Sequence, residues 1–304
     1  MTKQTRGFIF LCVTVVLFST FEVASKLVGT GLQPLQISFL RFLCGGVVLL
    51  PPAIIKMKKL KIRLTPGLVA QTSLLGFVCI VLSMGMIQYG LLYTNASTTA
   101  VIFSSNPVFV AFFALLILRE RIDRFKIIGM AVGLAGVVIL FSDRLGFSVD
   151  SAGGPLLVLG SAVLFALYTV LGKRVILKGV DSVVMTSFSF IAGSIMLLPV
   201  MLMLKIPVFR FDAALIPHIL YLGIIVSGVA YMSYFYGLAN VNTATGSLIY
   251  FIKPVLSAVF SVLILHESLN GRFFAGTAVI IASLAVVNIR QLTMVRRSPG
   301  CLKS

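Results

Sequence analysis

The chain has 304 residues, 59% hydrophobic and 11% charged, with a mean hydropathy of +1.10. A soluble domain of that size cannot hide so much apolar surface in one core, whereas a bilayer solvates outward-facing apolar side chains. The net charge of +17 would suggest nucleic acid as the partner of a soluble protein, but membrane proteins gather Lys and Arg in cytoplasmic loops, so no nucleic-acid partner is expected.

Apolar runs long enough to cross a hydrocarbon core, ~20 residues each, fall near 7–27, 34–55, 67–92, 97–118 and 125–142, then near 154–172, 182–204, 214–238, 244–265 and 271–289. The first follows Lys3 and Arg6 as a signal peptide would, but it is too long and lacks a small-residue cleavage site, so it is expected to stay as the first span. The breaks are short and carry Gly, Pro, Asn or charge. The expectation is an all-α membrane protein of ten transmembrane helices. With the N-terminus inside, the cytoplasmic segments hold 18 of the 25 Lys and Arg residues, and the outside segments hold four, Arg144, Lys205, Arg210 and Arg272. That bias predicts cytoplasmic termini. Cys12, Cys44, Cys79 and Cys301 show no metal-ligand spacing and read as small packing residues.

A shift of 147 positions superimposes the two halves without a gap over long stretches. Phe18 meets Phe165, Lys26 meets Lys173, Gly76 meets Gly223, and Asn95 meets Asn242. Pro107-Val108 meets Pro254-Val255, Glu120 meets Glu267, and Gly129 meets Gly276. Each half holds five runs, an odd number, so the second is expected upside down relative to the first, an arrangement typical of alternating-access transporters. The predicted divisions are a first five-helix repeat at 1–147, an inverted second repeat at 148–290 and a basic cytoplasmic tail at 291–304.

The first repeat contains Phe18-Ser19-Thr20 with Lys26, Arg41-Phe42-Leu43, Asn106-Pro107-Val108, and Leu118-Arg119-Glu120-Arg121 followed by Gly129. The second contains Tyr168 with Lys173, Lys253-Pro254-Val255, and Leu265-His266-Glu267 followed by Gly276. In these motifs the chain resembles the drug/metabolite transporter superfamily, specifically its EamA-type ten-span members, over nearly its whole length and in two copies. The resemblance implies a central cavity built by spans one to four and six to nine, with spans five and ten peripheral. It also implies export or exchange of small organic metabolites such as amino acids. Members often carry an acidic or neutral polar residue just before the second proline. Lys253 stands there in this chain, a departure that argues against a simple cation exporter.

Ionisable groups at membrane depth are costly and are functional candidates by default. Lys253 lies ten residues from the inner end of span nine, roughly 15 Å deep. Pro254 follows at once, removes a backbone donor and disfavours helix at Lys253, so the helix is expected to kink or open. A lysine beside such a break suits a carboxylate or phosphate; the alternative is a structural ion pair with Glu22. Glu22, four residues before Lys26, could bind an ammonium group or carry a proton, or could neutralise Lys26 or Arg41. Arg41 is a candidate for either substrate contact or bonds to helix-end carbonyls. Lys26 is near enough to the interface to snorkel. Asn106 and Pro107 occupy the inverted counterpart of Lys253 and Pro254, with Ser104 and Ser105 beside them. Gln88, Tyr168, Tyr231, Tyr234, Tyr236 and Tyr250 complete a set of polar and aromatic groups suited to an organic solute. Gly129 and Gly133 read as a helix-packing face, and Glu120 and Glu267 as caps or loop ion pairs.

No nucleotide-binding loop, nucleophile elbow or metal cluster occurs, so no enzyme activity, cofactor or metal is expected. The expected function is secondary active transport, as an exporter, of a small zwitterionic or anionic metabolite such as an amino acid. A proton or other ion would couple it, in a monomer or homodimer in a bacterial inner membrane. A channel or a non-transporting scaffold are the competing classes.

Overall fold

The computed structural model describes residues 2–28, 31–93, 99, 102–141, 153–265, 271–272 and 274–283, with Glu22 and Lys26 described in backbone alone. Every regular element among these residues is helical. Helix α1 spans Lys3–Ser19, α2 Phe21–Val28, and α3 Pro34–Lys59. Next, α4 (Pro66–Gly76) continues through a π-helical stretch, Phe77–Met84, into α5 (Gly85–Tyr93). Then come α6 (Asn106–Ile117), α7 (Arg124–Phe141), α8 (Gly153–Leu177) and α9 (Ser182–Met203). Helix α10 (Ile216–Leu220) runs through a second π stretch, Tyr221–Val229, into α11 (Ala230–Asn240). Helix α12 (Thr243–Ser247), a 3-10 turn at Leu248–Phe251, α13 (Lys253–Leu265) and α14 (Phe274–Ser283) follow.

Local chemistry explains where these helices start and stop. Thr2, Thr65, Asp181 and Asn242 each cap a first turn with a side-chain oxygen, and Gln33 with Gln36 forms a capping box ahead of Pro34. At the other end, Lys61 (φ 53) and Lys205 (φ 55) take the left-handed conformation that closes α3 and α9. In each case the following residue, Ile62 or Ile206, donates its N–H back to Met57 or Met201, which satisfies an otherwise orphaned carbonyl. Glycine is the usual residue there. A cation costs more in backbone energy, but it complements the negative end of the helix dipole.

Among the described residues, six helical stretches are long and apolar enough to cross a membrane: Lys3–Ser25, Pro34–Lys59, Pro66–Gly90, Gly153–Leu177, Ser182–Met203 and Ala213–Asn240. Asn106–Ile117, Lys253–Ile264 and Phe274–Ser283 are apolar but shorter. The runs near 97–118 and 244–265 fall short as single helices for a physical reason. Each helix begins again one residue before a proline, leaving 12 and 13 residues, or ~18–20 Å at 1.5 Å per residue. Large apolar side chains such as Leu74, Phe112, Leu116, Ile195, Leu202 and Leu263 stand exposed around the outside, as a lipid-facing surface requires. The chain is an integral membrane protein.

Helix α3 packs along α9, α1 along α11, and α6 along α8. Two crossings are closed by glycine. A Cβ on Gly76 would collide with the Ser189 carbonyl oxygen and stand 2.6 Å from the Gly193 nitrogen, and one on Gly45 would stand 2.8 Å from the Gly223 oxygen. Both π stretches lie at these crossings, and the 147-residue offset superimposes most of one on the other.

Candidate functional site

Two helix breaks meet inside the bundle. Helix α1 stops at Ser19, Thr20 forms a turn by donating its hydroxyl to Leu17 O at 2.7 Å, and α2 restarts at Phe21. Across from it, the 3-10 turn ends at Phe251 and α13 starts at Lys253 with Pro254 in its first turn, where a missing N–H costs nothing. The Ser19 hydroxyl lies 2.6 Å from Val15 O and 3.2 Å from Lys253 O, a bifurcated donor that joins the two breaks.

Phe21 organises the cations here. The Lys253 ammonium lies 5.9 Å from its ring centre and 5.9 Å from that of Phe103. The Arg41 guanidinium lies 4.4 Å from the same Phe21 ring and 4.4 Å from Phe42. Arg41 is only 3% exposed and donates to Met84 Sδ at 3.1 Å. The two cations thus share one aromatic support, and buried cation–π contacts of this kind contribute about 1–2 kcal/mol. The backbone places Glu22 next to Phe21 in α2; its side chain, like that of Lys26, lies outside the described residues.

The tyrosines sort themselves. Phe18 stands 4.9 Å from Tyr231 and 6.2 Å from both Tyr234 and Tyr250, while Phe165 stands 5.8 Å from Tyr168 and 5.9 Å from Tyr250. All four tyrosines are buried. Tyr236 is not with them: it is 37% exposed and packs against Phe10 at 4.4 Å. Tyr234 donates to Thr169 Oγ1 at 3.5 Å, whereas the buried hydroxyls of Tyr168 and Tyr250 have no hydrogen-bond partner among the described residues. Asn106 opens α6, with Pro107 next to it. Its amide donates to Ala162 O at 2.9 Å, and its buried Oδ1 has no hydrogen-bond partner among the described residues. Ser105 turns back to Ile102 O at 2.6 Å, Ser104 is buried, and Gln88 is buried in α5.

A second polar cluster lies at the end of the bundle that carries the start of α1. Lys173, near the end of α8, bonds Glu120 at 3.0 Å and Val241 O at 2.6 Å. Glu120 also accepts from Thr243 N at 2.9 Å and Thr243 Oγ1 at 2.6 Å. Lys126 bonds the Asn242 side chain at 2.9 Å. Glu120 thus forms a loop ion pair with Lys173 and also caps the first turn of α12 through Thr243 N. The repeat register, which pairs Lys26 with Lys173 and Glu120 with Glu267, marked these residues without linking them. Phe21, Phe103 and Met84 gave no signal, being three apolar residues among many. No group of three His, Cys, Asp or Glu residues able to hold a metal occurs among the described residues.

The sequence model of the EamA-like transporter family matches residues 5–142 and again residues 152–289. The chain belongs to the EamA-like transporter family. It is therefore a membrane transporter of the drug/metabolite type rather than an enzyme. Among the relatives of this EamA-like chain, an uncharacterized transporter of Clostridium kluyveri is 34% identical over 284 residues, covering 91% of each chain. The uncharacterized transporter YvbV of Bacillus subtilis is 29% identical over 288 residues, covering 94% of this chain and 93% of its own. A chloroplastic WAT1-related protein of Arabidopsis thaliana is 27% identical over 282 residues, or 66% of its own length. A crystal structure superimposes with a TM-score of 0.80 at 21% identity, covering 97% of this chain and 99% of the other, a likeness of fold.

Proposed function

We propose that this EamA-like chain is a secondary active carrier exporting a small organic anion or zwitterion of the amino-acid type across a bacterial inner membrane. It would alternate access around the meeting point of the two helix breaks. The observation that carries the reading is that Lys253, at a broken helix, shares the Phe21 ring with Arg41. Discontinuous helices that expose backbone and a cation at membrane depth suit an anionic group of a substrate. In this reading Lys253 and Arg41 hold the carboxylate. Tyr168, Tyr234 and Tyr250 face the body of the solute, Asn106 and Gln88 supply neutral polar contacts, Pro107 and Pro254 keep the helices open, and Glu22 carries the coupling proton.

Ten spans in two inverted repeats, 1–147 and 148–290, with both termini and the 291–304 tail in the cytoplasm, complete the proposal. The six long helices are joined by α7, α14 and the two interrupted spans that end in α6 and α13, which supports that count. The Lys and Arg bias supports the orientation. The test is reconstitution into liposomes and a screen of labelled amino acids, organic acids and amines, with and without a proton gradient. Gradient-dependent accumulation of an acid or zwitterion is expected. Transport of amines alone, or flux at channel rates, contradicts the proposal.

A further inference from the structure

The Glu120–Lys173 pair forms part of the lining of a cavity of about 440 Å3, with Gln4, Asn240 and Asn242 as further polar lining and Leu177 among its apolar lining. That volume falls in the range of small-molecule sites, ~300–1,000 Å3. The pair is itself well buried, the Lys173 and Glu120 side chains being 6% and 14% exposed. It also ties three separate parts of the bundle together. Glu120 comes from the segment after α6, Lys173 from α8, and both bond the corner between α11 and α12 through Val241 O and Thr243. These bonds fasten that corner to α8 through Lys173 and to the segment after α6 through Glu120.

From this geometry we infer that the Glu120–Lys173 pair is a latch that a zwitterion opens by replacing each partner for the other. The inference rests on the transport reading above. A ligand carboxylate takes the Lys173 ammonium, and the ligand ammonium takes the Glu120 carboxylate. One internal ion pair becomes two ligand pairs and no buried charge is left uncompensated; the α11–α12 corner is released because the ligand carboxylate also draws Lys173 off Val241 O and the ligand ammonium draws Glu120 off Thr243. A simple anion or a simple amine answers only one of the two charges and strands the other in a buried setting, which is strongly unfavourable. The latch therefore selects molecules carrying both charges close together, as an α-amino acid does, before they reach Lys253. Negative selection of this kind comes from the unpaired charge that the wrong ligand leaves behind.

Calorimetry on the purified full chain tests this with three probes of matched shape: leucine, isocaproate and isoamylamine. The Lys253→Met background removes one of the two proposed central cations and weakens binding there, and latch variants made in that background read the contribution of the latch. Leucine should bind there at least tenfold more tightly than either single-charge analogue. Adding E120Q or K173Q should weaken leucine at least tenfold, while E120D and K173R, which keep both charges, should retain most of it. Size-exclusion profiles identify any variant that fails to fold, and where E120Q or K173Q does, the comparison of leucine with isocaproate and isoamylamine on the Lys253→Met protein decides the matter. Equal binding of isocaproate or isoamylamine, leucine binding indifferent to both neutral variants, or no leucine binding overturns the latch. A Lys253→Met protein that binds leucine at the latch and still transports normally overturns the central-site reading instead.

Discussion

The hydroxyl of Ser19 reaches the backbone carbonyl of Lys253 at 3.2 Å. This contact, between residues 234 positions apart, joins the break in α1 to the break in α13, where α13 also packs on α1 and α2. It leaves the Lys253 side chain facing Phe21 and Phe103. Ser19→Ala should lower the melting temperature by an amount matching ~1 kcal/mol, the net worth of a typical hydrogen bond. Ser19→Thr should hold the melting temperature near wild type, because it keeps the donor. Thermal denaturation in detergent, read by loss of the monodisperse peak, checks the pair.

Phe21 supports both cations, so its ring should matter more than its bulk. Replacing it by Leu removes about 1–2 kcal/mol of cation–π stabilisation. If Arg41 and Lys253 hold the substrate, its KM should rise by roughly five- to thirty-fold at 1.4 kcal/mol per factor of ten. Phe21→Tyr should keep a near-normal KM, since the ring face is retained. Initial-rate transport in liposomes reads this directly.

The hydroxyl of Tyr250 is buried without a partner among the described residues. No hydrogen bond of good geometry holds it, so removing it should cost the folded state little, and an unsatisfied buried group is itself a penalty of about 1–3 kcal/mol. Tyr250→Phe should therefore leave the melting temperature unchanged or raised. Under the proposed site the same variant should weaken the apparent affinity for substrate about fivefold. Melting and transport measured on one preparation separate ligand contact from packing.

Gly76 and Gly153 make a contrasting pair. A Cβ on Gly76 would meet backbone atoms of Ser189 and Gly193, which cannot rotate away, whereas one on Gly153 has nothing within 4 Å. Gly76→Ala should cost 3 kcal/mol or more, at or above the top of the usual range for overpacking (~1–3 kcal/mol). Gly153→Ala should be neutral or stabilising by up to ~1 kcal/mol, because alanine favours helix. Yield of folded protein and its melting temperature distinguish the two.

The sequence is most informative where the physics is local. Proline fixes its own φ and lacks a donor, so the restarts of α6 at Asn106 and α13 at Lys253 could be anticipated from Pro107 and Pro254 alone. The break at Thr20 has no such marker in the sequence. Faces were harder to read than breaks. In a membrane bundle the lipid side and the core are both apolar, so nothing in the pattern set Tyr234, which is buried, apart from Tyr236, which faces outward two residues later. The aromatic support under the cations depends on which of many phenylalanines the fold brings near, and that is a long-range property. The same holds for Lys173 and Glu120, which look like ordinary loop charges in the sequence until α8 carries one to the other.

The most direct test of the account is transport by Lys253→Met and Lys253→Arg beside wild type, in liposomes matched for folded protein. Loss of the ammonium should lower the rate at least a hundredfold, and the arginine variant, which keeps the charge, should retain a measurable fraction. Wild-type rates from Lys253→Met would contradict the claim that the substrate passes this lysine.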